Sequence, residues 1–242
     1  MVSSDQRRRQ LAREKFERQQ RRREEARKKA KRRNTVIAAS LAVVLAAGGA
    51  VYASVGLVDG DSDSADTKAV DTTGTYKMSL KTNQGDIVVT MDAAKTPETV
   101  NSFKRLADKG YFDNTKCHRL TTDGIYVLQC GDPKGDGTGG PGYTIPDENL
   151  TALGKAGKDG MVTYPAGTVA MANTGQPGSG GSQFFLVYKD SKLTPTYTPF
   201  GTMDAAGLKA VKDVAAAGVD GGASDGAPKK AVTIEKAAVS EE

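Results

Sequence analysis

Residues 117–143 read CHRLTTDGIYVLQCGDPKGDGTGGPGY, and this stretch decides the predicted fold. Two short apolar runs within it are separated by turn-forming residues, which predicts a pair of antiparallel strands. A turn centred between Asp123 and Gly124 would place Cys117 opposite Cys130, at a separation that a disulfide can bridge. The sequence leaves two states open for these cysteines, because they can also be two small buried thiols.

The segment before this stretch predicts a β-hairpin followed by a helix. Residues 76–82 and 86–92 alternate apolar and polar side chains around a short turn, which is typical of two paired strands. Thr96 as the capping hydroxyl and Pro97 at the first helical position predict a helix that stops at Gly110.

The segment after it continues with short apolar runs bounded by Gly, Pro or Asn. Two further strands, a second helix and a closing strand are expected at 167–172, 183–188, 205–217 and 230–237. Strands, two helices and Gly-rich connections over residues 75–242 favour a mainly β fold. We expect a closed antiparallel barrel, because closure removes exposed strand edges.

Charge is distributed unevenly along the chain. Residues 1–33 hold 15 basic and 5 acidic side chains, so the rest holds 19 of the 34 basic and 24 of the 29 acidic ones. The basic segment has few apolar residues and is expected to be a solvated helix or disordered; it could bind anionic lipid head groups or nucleic acid. The mildly acidic remainder argues against a nucleic-acid-binding domain.

A long uncharged stretch follows the basic segment. Its 24 residues, 35–58, would span about 36 Å as a helix. We therefore predict a transmembrane signal-anchor helix at 34–58, with the upstream cations in the cytoplasm. The domain at 75–242 would then lie outside the cytoplasm on a single-pass membrane protein, behind a flexible acidic linker at 59–74. Secretion after signal-peptide cleavage is the alternative.

The small number of reactive side chains limits the chemistry. The chain has one His and two Cys, whereas a structural zinc site needs about four N or S ligands and a catalytic triad needs a His with partners. No metal or cofactor is therefore expected. His118 is expected to be a hydrogen-bonded structural residue.

Four motifs follow one another along the chain: the 117–143 stretch, DENL at 147–150, GTVAMANTGQPGSGGSQFFLVY at 167–188 and YTPFG at 197–201. Together they resemble the cyclophilin family of peptidyl-prolyl isomerases, over residues 75–242. The resemblance implies an eight-stranded antiparallel barrel capped by two helices, with a substrate groove on its outer face. It also implies an enzyme that accelerates cis-trans rotation of X-Pro bonds without cofactor or metal.

The resemblance further implies roles for individual side chains. Arg119 matches the catalytic arginine, Gln129 the glutamine beside it, and Asn173 a residue that contacts the substrate backbone. The substrate-binding residues implied in the same way are Tyr126, Val127, Ala172, Gln183, Phe185, Leu193 and Tyr197. The expected partners are proline-containing peptides or unfolded exported proteins, bound by a monomeric domain that does not bind nucleic acid.

The chain also departs from the family pattern. Tyr197 stands where many relatives have a His, and Lys192 stands where some have the Trp associated with tight cyclosporin binding. Two extra residues lie between Arg119 and Gln129. The Lys192 departure bears on cyclosporin binding more than on catalysis. Because Tyr197, Val127 and the extra loop residues alter the groove, a second function stays open, a proline-peptide binding module that is tethered to the membrane and has little turnover.

Overall fold

The computed structural model describes residues 70–242, which belong to one compact unit. Three predicted regions, the basic segment, the helix at 34–58 and linker residues 59–69, lie outside the described residues. Within 70–242, no helix combines the length and apolar character that crossing a bilayer requires.

The end of the predicted linker packs against the domain. Val70 is buried among the core residues. The backbone N–H of Asp71 donates to the hydroxyl of Tyr76 at 2.9 Å. The packed part of the chain therefore begins a few residues before position 75.

Twelve strands and two helices make up the regular structure of the described residues. In chain order they are β1 (Tyr76–Thr82), β2 (Ile87–Met91), α1 (Pro97–Asp108), β3 (Thr115–Lys116), β4 (Arg119–Thr121), β5 (Val127–Cys130), β6 (Val162–Tyr164), β7 (Thr168–Met171), β8 (Phe184–Val187), β9 (Ser191–Leu193), β10 (Pro199–Met203), α2 (Ala205–Ala216), β11 (Asp225–Gly226) and β12 (Thr233–Glu241). The β1–β2 hairpin is confirmed, with Tyr76 opposite Met91 and Leu80 opposite Ile87.

Ten of the strands form one curled antiparallel sheet in the order β11-β4-β5-β8-β7-β10-β2-β1-β12-β3, while β6 and β9 pair separately. Helix α1 packs against β12 and α2 against β2.

The predicted closed eight-stranded barrel is wrong in strand number and in closure, because the described pairing order runs from β11 to β3 and no ladder joins these ends. The sheet stays open because the extended run at 115–121 is interrupted at Cys117 and His118. Before this break β3 pairs with β12, and after it β4 pairs with β5.

Helix α1 begins at Pro97, as predicted, but without the predicted cap. The hydroxyl of Thr96 donates to a backbone carbonyl at 2.6 Å and does not cap the helix. The carboxylate of Glu148 accepts the backbone N–H groups of Glu98 and Thr99 instead, at 3.1 and 2.9 Å. A negative carboxylate also suits the positive end of the helix dipole. The cap therefore comes from the DENL motif, 50 residues away in sequence.

The inside of the curled sheet is filled by a continuous set of apolar side chains, here called the interior cluster. Its centre is aromatic, with the ring of Phe103 lying 5.4, 5.6 and 4.9 Å from those of Phe112, Phe184 and Phe200. Alternate residues of β5 and β8 contribute to it, namely Leu128, Cys130, Phe184 and Leu186. Because strand side chains point alternately to two faces, the residues between these four lie on the outside of the sheet.

Cys117 and Cys130 form a disulfide, which decides between the two states that the sequence left open. The predicted register was wrong by one residue, since Arg119 pairs with Gln129 and Leu120 with Leu128. The turn is therefore centred on Gly124, whose positive φ of 71° is a conformation that glycine adopts readily. This register places Arg119 directly opposite Gln129 on the same face of the sheet.

Candidate active site

Alternation along β5 and β8 separates a second apolar group from the interior cluster. This outer cluster comprises Val127, Val162, Tyr164, Ala170, Phe185 and Val187, with the partly buried Ile125, Leu153, Ala172, Leu193 and Tyr197 packed against it. The rings of Phe185 and Tyr197 meet edge to face at 5.4 Å between centroids. The hydroxyl of Tyr164 donates to the backbone carbonyl of Tyr197 at 2.8 Å, and burial raises its pKa to about 12.

A chain of polar side chains runs along the outer face beside this cluster. Nη1 of Arg119 donates to Oε1 of Gln129 at 3.2 Å, and Nε2 of Gln129 donates to Oε1 of Gln183 at 2.9 Å. Nε2 of Gln183 in turn donates to the backbone carbonyls of Gly137 and Gly139 at 3.0 and 2.9 Å. The chain of hydrogen bonds fixes the orientation of both amide groups and leaves the arginine as the terminal donor.

The close approach of β5 and the start of β8 depends on a glycine. Gly131 has a φ of +87°, and a side chain there would collide with the carbonyl oxygen of Ser182. The hydroxyl of Ser182 donates to the carbonyl of Gly131 at 2.7 Å. This contact holds Gln183, the next residue, beside Gln129.

Asp225 is a further partner of Arg119. Its two carboxylate oxygens accept hydrogen bonds from Nε and Nη2 of Arg119 at 2.7 and 2.8 Å. The bond to this carboxylate raises the pKa of Arg119, and the bond from the guanidinium lowers the pKa of Asp225. In the strand register Gln129 lies between Arg119 and Phe185 on the same face, so Arg119 lies on the face that carries the outer cluster.

Asn173 lines the same cavity as Gln129 and Gln183 of the polar chain. Its Nδ2 donates to the carbonyl of Thr196 at 2.7 Å, and its Oδ1 accepts from the backbone N–H of Gly175 at 3.0 Å. The N–H of Ala172 donates to the carbonyl of Gln183 at 2.9 Å. A cavity of about 470 Å³ adjoins this region, and the predicted site residues that line it are Gln129, Ala172, Asn173 and Gln183.

The structure brings together nine of the ten predicted site residues, and Tyr126 is the exception. Tyr126 packs against the interior cluster, with its ring 5.9 Å from that of Tyr188 and 4.2 Å from the Lys189 ammonium. The neighbouring residue, Ile125, contacts the outer cluster instead.

Sequence reasoning missed Ile125, Tyr164 and Asp225. The apolar run at 162–164 offered a signal for Tyr164, since it alternates as a strand does. Asp225 had no such signal, because it lies 106 residues from Arg119 in a Gly- and Asp-rich loop. Lys192, which stands where some relatives have a Trp, is exposed and donates to Asp159 at 3.0 Å.

His118 differs from its expected role. Its Nδ1 is buried and has no hydrogen-bond partner among residues 70–242. Burial is the main cause that lowers the pKa of this imidazole, so its neutral form is favoured. Within the same residues, no three His, Cys, Asp or Glu side chains are grouped as a metal site would require.

Comparison with known proteins places this site in a family. Residues 77–239 match the family profile described as "Cyclophilin type peptidyl-prolyl cis-trans isomerase/CLD". The chain is 52% identical over 165 residues to a "Probable peptidyl-prolyl cis-trans isomerase B" of Mycobacterium leprae, covering 66% of this chain and 56% of that protein. A protein of the same name from Mycobacterium tuberculosis (strain H37Rv) is 53% identical over 161 residues, covering 65% and 52%. The chain thus spans about half the length of these curated relatives.

Solved structures agree with the sequence relationship. A cyclophilin-type peptidyl-prolyl cis-trans isomerase from Cryptosporidium parvum superposes with a TM-score of 0.57 at 26% identity, covering 69% of this chain and 99% of its own. The same kind of protein, solved in the presence of the dipeptide Ala-Pro, superposes with a TM-score of 0.56 at 25% identity. The polar chain, the outer cluster and the curled sheet occur within the matched residues, and the chain belongs to the cyclophilin-type peptidyl-prolyl cis-trans isomerase family.

Proposed function

We propose that residues 70–242 form a peptidyl-prolyl cis-trans isomerase that accelerates rotation about X-Pro bonds. The observation that carries the proposal is the Arg119 guanidinium, held by hydrogen bonds to Gln129 and Asp225 beside the apolar outer cluster. Family membership and the names of the curated relatives support it. The Ala-Pro dipeptide of the Cryptosporidium structure supports proline-containing peptides as substrates.

The reaction requires no covalent step. Amide resonance creates a rotation barrier of about 18–20 kcal/mol, and uncatalysed X-Pro exchange takes tens of seconds or longer. In the twisted transition state the amide nitrogen loses conjugation and recovers a lone pair that can accept a hydrogen bond. The guanidinium of Arg119 is permanently charged and is a suitable donor to that lone pair. The donor stabilises the twisted amide more than the planar one, which is the condition for catalysis.

The remaining site residues supply position. The proline ring would pack on the outer cluster against the apolar side chains of Val127, Phe185 and Leu193. The amide groups of Gln183 and Asn173 would hold the peptide backbone on either side of the ring. Because the substrate is held on both sides of the X-Pro bond, binding energy can favour the twisted geometry of that bond over the planar one.

The test is Arg119→Ala in the full chain, assayed by NMR exchange spectroscopy on a proline-containing tetrapeptide. We expect the exchange rate to fall by about 10²–10³-fold, because one directed donor to the transition state is lost. The melting temperature should change little, since the Arg119 side chain is 38% exposed. Lys209→Ala, which removes an exposed cation from α2, is the control. Near-normal exchange by Arg119→Ala would overturn the assignment.

A proline-peptide binding module is the second candidate. Tyr197 favours it, because it packs against Phe185 at a position where many relatives have a His and so alters the outer cluster. The same experiment separates the two functions, since a binding module shifts the peptide resonances on titration but does not increase their exchange rate.

We also propose that the domain acts on exported proteins from the outer side of a membrane, anchored by residues 34–58. The support is the uncharged 24-residue run and the 15 basic residues that precede it. Mass measurement of the mature protein from membrane and secreted fractions tests this. Recovery of only a chain cut after Ala53, free of the membrane, would replace the anchor with a cleaved signal peptide.

A further inference from the structure

We propose that Asp225 is a positioning residue for Arg119, fixing the plane of the guanidinium so that its free N–H groups stay directed at the substrate. The inference rests on the proposed isomerase function. It concerns a segment, residues 218–228, that lies beyond every motif on which the family resemblance was based.

The contact between the two side chains is bidentate. Nε and Nη2 of Arg119 bond to Oδ1 and Oδ2 of Asp225 at 2.7 and 2.8 Å. Two parallel bonds between planar groups restrain rotation about the last side-chain torsions, which a single bond does not do. Gln129 accepts a third bond, from Nη1.

Asp225 is itself held in place by backbone pairing. Strand β11 lies at the edge of the sheet, with Asp225 opposite Thr121 and Gly226 opposite Leu120. The N–H of Thr122 donates to the carbonyl of Ser224 at 2.8 Å.

The loop behind the strand is also anchored. Val219 is buried in the interior cluster and pairs with Pro228 across the base of the loop. The N–H of Asp220 donates to the carbonyl of Ala227 at 2.8 Å. The carboxylate therefore extends from a fixed backbone, although its side chain is 54% exposed.

A count of donors shows what this arrangement leaves for the substrate. A guanidinium has five N–H groups. Asp225 takes two of them and Gln129 takes one. The other two, one on each Nη, have no partner among the described residues. Without Asp225 the side chain would sample several rotamers, and these donors would lose their direction.

Stability does not explain the pair. An exposed ion pair contributes little to folding, because it is solvated and its side chains must be ordered. Five other Lys–Asp pairs in the described domain join residues outside the polar chain, at Lys95, Lys104, Lys192, Lys209 and Lys236. Asp225 differs from their partners because it bonds to the residue proposed to touch the reacting amide.

The experiment compares Asp225→Ala, Asp225→Asn and Asp225→Glu in the full chain, with kcat and KM from NMR exchange on the tetrapeptide. We expect Asp225→Ala to lower kcat about fivefold with KM unchanged, as loss of one weak positioning contact predicts. Asp225→Glu should restore at least half of the rate, because a carboxylate can still pair with the guanidinium. Asp225→Asn should fall between, and it serves if the Ala variant does not fold.

Two controls test whether the effect of Asp225→Ala on kcat arises from its contact with Arg119. Asp213→Ala removes the acidic partner of an exposed pair on α2 and should leave kcat unchanged. Asp225→Ala in an Arg119→Ala background should have no further effect, since Asp225 acts only through Arg119.

The outcomes also distinguish a failure of the positioning role of Asp225 from a failure of the proposed isomerase function. If the unmodified chain does not accelerate exchange, the proposed function fails. If Arg119→Ala is inactive while Asp225→Ala equals the unmodified chain or exceeds it, the function stands and the positioning role is overturned. An equal effect of Asp225→Ala with and without Arg119 would overturn it as well.

Discussion

The interior cluster and the outer cluster are built from alternate residues of the same strands. In β8, Phe184 points into the sheet and its neighbour Phe185 points out. The interior cluster includes residues from both helices, whereas the outer cluster is smaller, includes none from the helices and shares its face with the polar chain that ends at Arg119. The period of two along a strand thus separates a face that packs in the interior from a face that carries the proposed binding site. Changes on the two faces should accordingly separate stability from activity.

The largest expected effect comes from substituting the adjacent phenylalanines. Phe184→Ala should lower the free energy of unfolding by about 3–5 kcal/mol, because it leaves a cavity in a fully enclosed core. Phe185→Ala should lower it by less, since its ring borders the groove, but should reduce isomerase activity by about tenfold through loss of an apolar contact with proline. Urea denaturation and NMR exchange measure the two quantities.

Phe184→Leu is the milder variant if Phe184→Ala does not fold. Equal destabilisation by both Ala variants, with activity unchanged by Phe185→Ala, would show that the outer cluster is a second core rather than a binding surface.

Removing the disulfide shows how much the activity of the outer face depends on the stability of the interior face. Cys117 and Cys130 are buried in the interior cluster, while Arg119 and Gln129 lie on the outer face of the strand pair that the disulfide joins. The bond closes a loop with a sequence separation of 13, so replacing both cysteines by Ala should cost about 3 kcal/mol in the chain-entropy account. Activity should fall less than in Arg119→Ala, because the sheet still pairs the strands.

Thiol titration checks the bond itself. Unreduced, denatured protein purified from outside the cytoplasm should show no reactive thiol, and reduction should release two. Two thiols before reduction would contradict the pairing.

The smallest expected effect concerns pH and Asp132, a fully buried residue that supports the polar chain. Burial raises the pKa of this carboxyl, but backbone N–H groups of the following loop, including those of Lys134 and Gly137, outweigh it and hold the pKa below its ordinary value. The same loop supplies the carbonyls that orient Gln183.

A depressed folded-state pKa stabilises the protein above the unfolded value, which is about 3.9. Stability should therefore be constant near neutral pH and fall as the pH drops through the folded-state pKa of Asp132. Asp132→Asn should flatten this part of the profile, whereas Asp213→Asn on α2 should not. An unchanged profile in Asp132→Asn would exclude this carboxyl as the cause.

Much of the fold was predictable because its signals are local. The alternation over 76–82 matches β1 residue for residue, and the Pro97 signal marks the first residue of α1. Strands at β9 and β10 were missed, since Ser191–Leu193 is short and Pro199 lacks the N–H expected of a ladder residue. The open sheet was missed because a two-residue break in one run cannot be distinguished from a continuous strand by periodicity.

The site was predictable where its motifs keep their spacing. Arg119, Gln129, Gln183 and Phe185 were placed by motif, and the structure brings them together. The role of Tyr126 stays a prediction; its side chain packs against the interior cluster, and it follows a turn where a one-residue shift moves a side chain to the other face.

The sequence by itself determined the β1–β2 hairpin, the two helices and the family motifs, because periodicity and turn chemistry act over a few residues. The tertiary structure alone decided which distant groups meet: Glu148 at the start of α1, Asp225 on the guanidinium of Arg119, and the one-residue register that sets Arg119 opposite Gln129. Such contacts depend on the path of the chain between them. A carboxylate 106 residues from its arginine leaves no pattern in the sequence, since only the folded sheet brings the two side chains within hydrogen-bonding distance.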